Sequence, residues 1–313
     1  MKTHANTCSS GNSRRYVLPL IFAVSGLMAS SWSASATTPE FGTTLTETVA
    51  SIEATTGGRV GVSITDLNSG LTWSHRSNER FPMASTFKAF SCAHLLALAD
   101  KGEIDLDSRV QFEESDLQDY SPITQHRVGG AGMTLFELCA ASTSLSDNTA
   151  ANLILQNTGG PPAFTQFMRS IGDNTTRLDR YEPDLNYVGP GEEQDTTSPA
   201  AVAKSLETLL LGNSLFNESR EQLKTWLINN EVGGPLLRAS LPENWIIADR
   251  TGAGGYGTRG IAAVIWPQGS TVTTTGPVVV AVYLTGTTLT LEERNAVIAD
   301  IGRALVEDLG VVR

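Results

Sequence analysis

Apolar residues alternate with polar or small ones at Val60, Val62 and Ile64, pause over Asp66-Leu67-Asn68-Ser69-Gly70, and resume at Leu71 and Trp73. A period of two on both sides of a turn-forming cluster predicts a β-hairpin over Arg59–Arg76. The period then changes. After Phe81-Pro82 an apolar helical pattern runs to near Gly102, and Thr134-Leu135-Phe136-Glu137 is a capping box that opens another helix. Ser198-Pro199 supplies an N-cap and a first-turn proline for a third, with Val202, Leu206 and Leu210 along one face until Gly212. Strand character returns at Trp245–Ala248, Ile261–Trp266 and Pro277–Leu284, the last two rich in β-branched residues and bounded by glycines. Thr290-Leu291-Glu292-Glu293 caps a final helix whose Val297, Ile301 and Leu305 recur every four residues.

Strands at both ends with helices between predict an α/β (α+β) fold: an antiparallel sheet built from the two chain ends, flanked by helices, with a mainly helical lobe inserted. The sheet-containing lobe comprises residues 37–80 and 229–313, the helical lobe 81–228, and the boundary between them is a natural cleft. Residues 177–195 hold two prolines and two glycines, sustain no period and read as a long loop; long ordered loops in compact domains are usually functional. No 20- to 50-residue repeat is present, which removes solenoid architectures.

Composition narrows the function classes. The 313 residues carry 22 Lys and Arg against 33 Asp and Glu, a formal net charge of −11. That balance argues against nucleic-acid partners, which require clustered basic charge. The four histidines, at 4, 75, 94 and 126, lack the short spacings of a zinc or haem site, so no metal or other cofactor is expected. The first 36 residues contain Lys2, Arg14 and Arg15, no acid, an apolar stretch from Tyr16 to Ala29 and a small-residue run at Ala34-Ser35-Ala36. This is the pattern of a secretory signal peptide, an uncleaved anchor being the alternative, and it predicts export to the bacterial periplasm. Arg14-Arg15 keeps a twin-arginine route open beside the general one. Removing the three leader cations takes the formal charge from −11 to −14. Two cysteines remain beyond the leader, Cys92 and Cys139. An even count in an exported chain favours a disulfide over two buried thiols, and the 47-residue loop it closes is worth about 4 kcal/mol in the chain-entropy model.

Four short motifs carry candidate chemistry. Ser85-Thr86-Phe87-Lys88 opens a predicted helix, where unpaired N–H groups favour developing negative charge, and the i, i+3 spacing sets the lysine beside the serine. A lysine desolvated in a cleft can lose its proton and serve as a base. Ser146-Asp147-Asn148 interrupts a helical stretch that Asp and Asn disfavour; taken alone, a local turn between two helices is the favoured explanation. Glu182-Pro183-Asp184-Leu185-Asn186 places a carboxylate and an amide in the long loop, able together to hold a water molecule. Arg250-Thr251-Gly252-Ala253-Gly254-Gly255 ends a strand with a guanidinium, a hydroxyl and bare backbone at a sheet edge. Each motif alone has an ordinary structural explanation.

In this order and behind a secretion signal, the four together resemble the class A serine β-lactamases, whose motifs are Ser-x-x-Lys, Ser-Asp-Asn, Glu-x-x-Leu-Asn and Lys-Thr-Gly. The resemblance covers essentially the whole chain beyond the leader. It implies a serine β-lactamase/transpeptidase-like fold and an exported hydrolase of penicillins that acts as a monomer on small-molecule β-lactams. It implies that Ser85 is the nucleophile, with Lys88 shuttling its proton. The backbone N–H groups of Ser85 and Ala253, the latter beside Gly252, would form the oxyanion hole. Ser146 would relay a proton to the leaving nitrogen, and Asn148 would bind the substrate's amide and Lys88. Glu182 and Asn186 would hold the deacylating water, while the choice of Lys88 or Glu182 as base for acylation stays open. Tyr120 matches the aromatic residue at the cleft entrance, Arg259 a substrate-carboxylate arginine, and Cys92 and Cys139 the family's cysteine pair. Arg180 and Asp195 match the pair closing the family's Ω-loop, here 177–195, although two solvated surface charges would read the same way in sequence.

Arg250 departs from the commoner lysine. Arg-Thr-Gly resembles the carbenicillin-hydrolysing subgroup, where a guanidinium fork and Arg259 would put two cations on the carboxylate wall. The rival readings are a cell-wall transpeptidase and a β-lactam sensor, both of which stay acylated. Glu182 and Asn186 argue against the first, and the lack of a spanning segment after residue 36 against the second.

Overall fold

The computed structural model describes Gly11 and residues 40–269 and 276–310. The expected leader, Gly11 apart, lies outside the described residues. Chain order is α1 (Thr43–Thr56), β1 (Arg59–Asp66), β2 (Thr72–His75), β3 (Phe81–Pro82), α2 (Phe87–Asp100), β4 (Arg109–Val110), β5 (Met133–Thr134) and α3 (Leu135–Ser144). It continues with α4 (Asn148–Asn157), α5 (Gly160–Ser170), β6 (Thr196–Thr197), α6 (Pro199–Leu211), α7 (Asn217–Ile228), β7 (Ile246–Ala253), β8 (Arg259–Trp266), β9 (Val278–Thr285) and α8 (Leu291–Asp308).

The expected hairpin forms, with Val62 opposite His75 and Thr65 opposite Thr72. Its first strand also pairs along its whole length with β9, from Arg59 opposite Thr285 to Asp66 opposite Val278. The two chain ends thereby build one antiparallel sheet of order β2-β1-β9-β8-β7. Its central strands are buried on both faces, which explains their near-continuous apolar runs. Alternate residues divide between two cores. Ile261, Ala263 and Ile265 face one way with Val280 and Val282, against Leu45 and Val49 of α1 and Ile301 and Leu305 of α8. Ala262, Val264, Ala281 and Tyr283 face the other way, toward Phe90 of α2, Leu138 of α3, Ile154 of α4 and Leu206 of α6. Both expected lobes fall within one compact unit from residue 39 onward.

The capping boxes at Thr134 and Thr290 and the Ser198 cap are present. Helix α1 is an addition to the sequence reading. It has Gly42 at its N-cap and no side-chain cap of its own; Asp308 of α8 instead accepts from Thr44 N–H at 3.1 Å and Leu45 N–H at 3.0 Å. Cys92 of α2 and Cys139 of α3 form a disulfide, their Cα atoms 5.7 Å apart. No helix among the described residues is long and apolar enough to cross a membrane.

Candidate active site

Ser85 stands in a 3₁₀ turn (Ala84–Thr86) that runs directly into α2. The turn is pressed against β7, the edge strand of the sheet. A Cβ at Gly252 would lie 2.9 Å from Met83 O and 3.0 Å from Ser85 N, so only glycine lets the strand approach this closely. Lys88, one turn along, is fully buried. Its Nζ donates to Asn148 Oδ1 at 2.6 Å, to Ser146 O at 2.9 Å and to Ser146 Oγ at 3.2 Å, and lies 3.0 Å from Glu182 Oε1. Ser85 Oγ donates to the same Glu182 oxygen at 3.3 Å. Burial pushes the Lys88 ammonium down to about 8, with the Arg250 charge adding to the effect and Glu182 opposing it.

Ser146-Asp147-Asn148 is the turn between α3 and α4, and the same turn carries polar groups into the cleft. Asp147 makes this possible. Fully buried, it caps α4 through Ala150 N–H at 2.8 Å and accepts from the N–H groups of Ile123 and Thr124, both at 2.9 Å. It thereby ties the turn to the segment carrying Tyr120, whose carbonyl accepts from Asn148 N–H at 3.1 Å. Ala84, Tyr120, Ser146 and Asp195 all adopt positive φ, four of the six described non-glycine residues to do so. Left-handed backbone costs such residues free energy, and its concentration here marks a site over-determined by its surroundings.

Residues 177–195 form an irregular segment with a single 3₁₀ turn, Asp184–Asn186. Arg180 Nε meets the fully buried Asp195 Oδ2 at 2.6 Å, and Asp195 also accepts the N–H groups of Asp179 and Arg180. Arg180 reaches Tyr187 O at 3.2 Å as well, cross-linking both stems of the loop. Glu182 follows, its bond to Pro183 cis, and Asn186 Nδ2 donates to Glu182 Oε2 at 2.5 Å. Asn152 was absent from the sequence reading. From α4 it donates to Glu182 O and accepts from Glu182 N–H, both at 2.9 Å, fixing the catalytic candidate by its backbone. The one available signal was an amide inside the apolar run Ala150–Leu155.

A cavity of about 460 Å³ is lined by Ser85, Tyr120, Ser146, Asn148 and Asn186 on one side and by Thr251, Gly252, Ala253 and Arg259 on the other. Lys88, Glu182 and Arg250 lie buried beneath it. The β7–β8 register sets Arg259 opposite Ala253. Arg259 is held by Gly252 O at 3.0 Å and by Asn295 Oδ1 at 2.7 Å, a second residue the sequence reading did not include. Here the expected pair of cations on the wall is corrected. Arg259 lines the cavity, whereas Arg250 is fully buried behind Thr251, its Nη1 3.4 Å from Thr251 Oγ1 and its Nε and Nη2 without a hydrogen-bond partner among the described residues. Burial lowers both guanidinium groups to about 10, which leaves them cationic at neutral pH.

A serine whose hydroxyl shares one oxygen of a buried carboxylate with a buried lysine, beside an edge strand, defines a serine acyl-transfer enzyme. Residues 44–309 match the model of the β-lactamase enzyme family. The chain is 44% identical over 259 residues to the β-lactamase PSE-4 of Pseudomonas aeruginosa, covering 83% of this chain and 88% of that protein. It is 46% identical over 263 residues to the β-lactamase AER-1 of Aeromonas hydrophila, covering 84% and 85%. An ancestral class A β-lactamase superposes with a TM-score of 0.80 at 51% identity, over 84% of this chain and 99% of the other. The chromosome-encoded β-lactamase of Vibrio parahaemolyticus superposes with 0.81 at 43% identity, over 84% and 98%. The chain belongs to the β-lactamase enzyme family and is a class A β-lactamase, a hydrolase of penicillins that confers resistance to them.

Proposed function

We propose that hydrolysis runs through an acyl-enzyme on Ser85, with Glu182 as the base in both half-reactions. The observation that carries this is the contact of Ser85 Oγ and Lys88 Nζ with one carboxylate oxygen of Glu182, at 3.3 and 3.0 Å. Lys88 is surrounded by acceptors, which suits an ammonium and leaves Glu182 to take the serine proton. Ser85 Oγ attacks the lactam carbonyl carbon, and the N–H groups of Ser85 and Ala253 stabilise the oxyanion. The C–N bond breaks, the nitrogen takes a proton from Ser146 Oγ, and Lys88 returns one to Ser146 at 3.2 Å. Glu182 passes the Ser85 proton to the now neutral Lys88 3.0 Å away. The restored carboxylate, with Asn186 helping to hold the water, then deprotonates it for attack on the ester carbonyl carbon, and Ser85 Oγ leaves with the proton that Glu182 returns.

The carboxylate end of the cleft supports a preference for penicillins with an extra carboxylate, carbenicillin among them. Arg259 meets the ring carboxylate, and Arg250 adds a buried charge behind the Thr251 hydroxyl. Asn148 serves the substrate's amide and Tyr120 the cleft entrance. The leader pattern of residues 1–36 supports export to the periplasm, by the general secretory route ahead of the twin-arginine one. The enzyme works there as a monomer, without metal or other cofactor.

The test is mass spectrometry and stopped-flow kinetics with benzylpenicillin on the wild type and on Glu182→Ala. Fast turnover by the wild type is expected, and in the variant a Ser85 adduct that forms far more slowly than in the wild type and then persists; an adduct formed at the wild-type rate would give the acylation proton to Lys88 instead. A long-lived wild-type adduct would return the assignment to the transpeptidase or sensor reading.

A further inference from the structure

With Arg259, the cavity that holds Ser85 is lined by three apolar residues, Val232, Pro235 and Leu291, none of which belongs to the four catalytic motifs. Leu291 is 49% exposed, so packing alone does not explain it. Its position is set from two directions. The Thr290–Glu293 capping box fixes the first turn of α8, and Arg294 Nη1 anchors that turn to Thr258 O at 2.8 Å. Leu291 and Asn295 stand one turn apart on the same helix face, and Asn295 holds Arg259. The segment carrying Val232 and Pro235 is pinned by Val232 N–H to Asn230 Oδ1 at 3.2 Å and Glu231 N–H to Ser144 O at 3.0 Å. The result is a fixed apolar notch beside the carboxylate-binding guanidinium, with a second cation, Arg294, in the same helical turn as Asn295.

A β-lactam anchored by its ring carboxylate carries its next substituent on the adjacent ring carbon, within two bonds of that anchor. In a cephem this is carbon 3. We propose that Val232, Pro235 and Leu291 form a subsite for an apolar substituent on the ring carbon beside the carboxylate, and that the enzyme thereby favours apolar over cationic groups at that position. The notch supplies apolar contact and desolvation, while Arg259 and Arg294 repel a positive charge brought there. The inference rests on the proposed placement of the lactam between Ser85 and Arg259.

The experiment uses cephems with one shared 7-acylamino group and, at carbon 3, either phenyl or N-methylpyridinium-4-yl, two groups of the same shape that are not expelled on ring opening. KM is measured for both on the wild type, Leu291→Gln and Val232→Thr, with benzylpenicillin alongside; intrinsic reactivity cancels in the variant-to-wild-type ratio. Burial of about two methylene equivalents predicts a wild-type KM about tenfold lower for the phenyl compound. Both variants are expected to bring the two KM values within about threefold of each other. No preference in the wild type, a preference that survives both substitutions, or an equal change for all three substrates would each overturn the subsite. Mass spectrometry separates the underlying reading: if neither cephem nor penicillin acylates Ser85, the placement of the lactam fails before the subsite is judged.

Discussion

Lys88 and Arg250 show what single buried cations do in this cleft. A lysine with its proton affinity lowered to about 8 is an ammonium below that pH and a neutral amine above it. If Lys88 returns a proton to Ser146 as an ammonium, kcat/KM for benzylpenicillin falls as pH rises through about 8; a rise over the same interval, in a pH–rate profile, would make Lys88 the base instead. Arg250→Lys keeps the neighbouring charge, so this alkaline limb stays in place. It removes the guanidinium that reaches Thr251, and carbenicillin turnover is expected to fall about tenfold relative to benzylpenicillin, the worth of one hydrogen bond to a charged group. Equal relative turnover would count against the carbenicillin reading. Ser85, Lys88 and Glu182 were legible as residue types in fixed motifs, and Arg259 through the family resemblance alone. Asn152 and Asn295 were not, because each acts through a contact distant in sequence, on the Glu182 backbone and on the Arg259 side chain.

At the scale of elements, the loop 177–195 holds its shape by satisfying one buried carboxylate. Asp195 accepts two backbone N–H groups and the Arg180 side chain, so Arg180→Ala leaves a buried charge without its counter-charge. A loss of about 2 kcal/mol in urea unfolding is expected. Because this loop carries Glu182, the base proposed for both half-reactions, acylation and deacylation are both expected to slow, and single-turnover kinetics measures each step. Helix starts with their own caps, at Thr134, Ser198 and Thr290, were readable because a cap is a local event. Helix α1 was not, since its exposed N–H groups are satisfied by Asp308 more than 260 residues away. Ser146-Asp147-Asn148 was readable in both of its senses, and it is both: a turn between helices and a wall of the cleft.

The whole molecule combines an acidic chain with a cationic pocket, since the net charge of −11 surrounds a cleft backed by Lys88, Arg250 and Arg259. A field of that form draws an anionic substrate to the one place where its charge is met. The Cys92–Cys139 bridge joins α2 to α3 within the helical core, with both sulfur-bearing residues fully buried. Replacing both by alanine is expected to cost up to about 4 kcal/mol in reversible denaturation while leaving kcat near the wild-type value. A loss of activity without a loss of stability would show that the bridge shapes the cleft as well. From the sequence alone came the antiparallel α+β class, the four motifs and their chemistry, because periodicity, caps and short spacings are written within a few residues of one another. Only the tertiary structure decided that Arg250 is buried while Arg259 lines the cleft, that Arg180 and Asp195 are paired, and that Leu291 and Val232 line one cavity. Burial and pairing depend on which surfaces come together, and those surfaces belong to segments far apart in the chain.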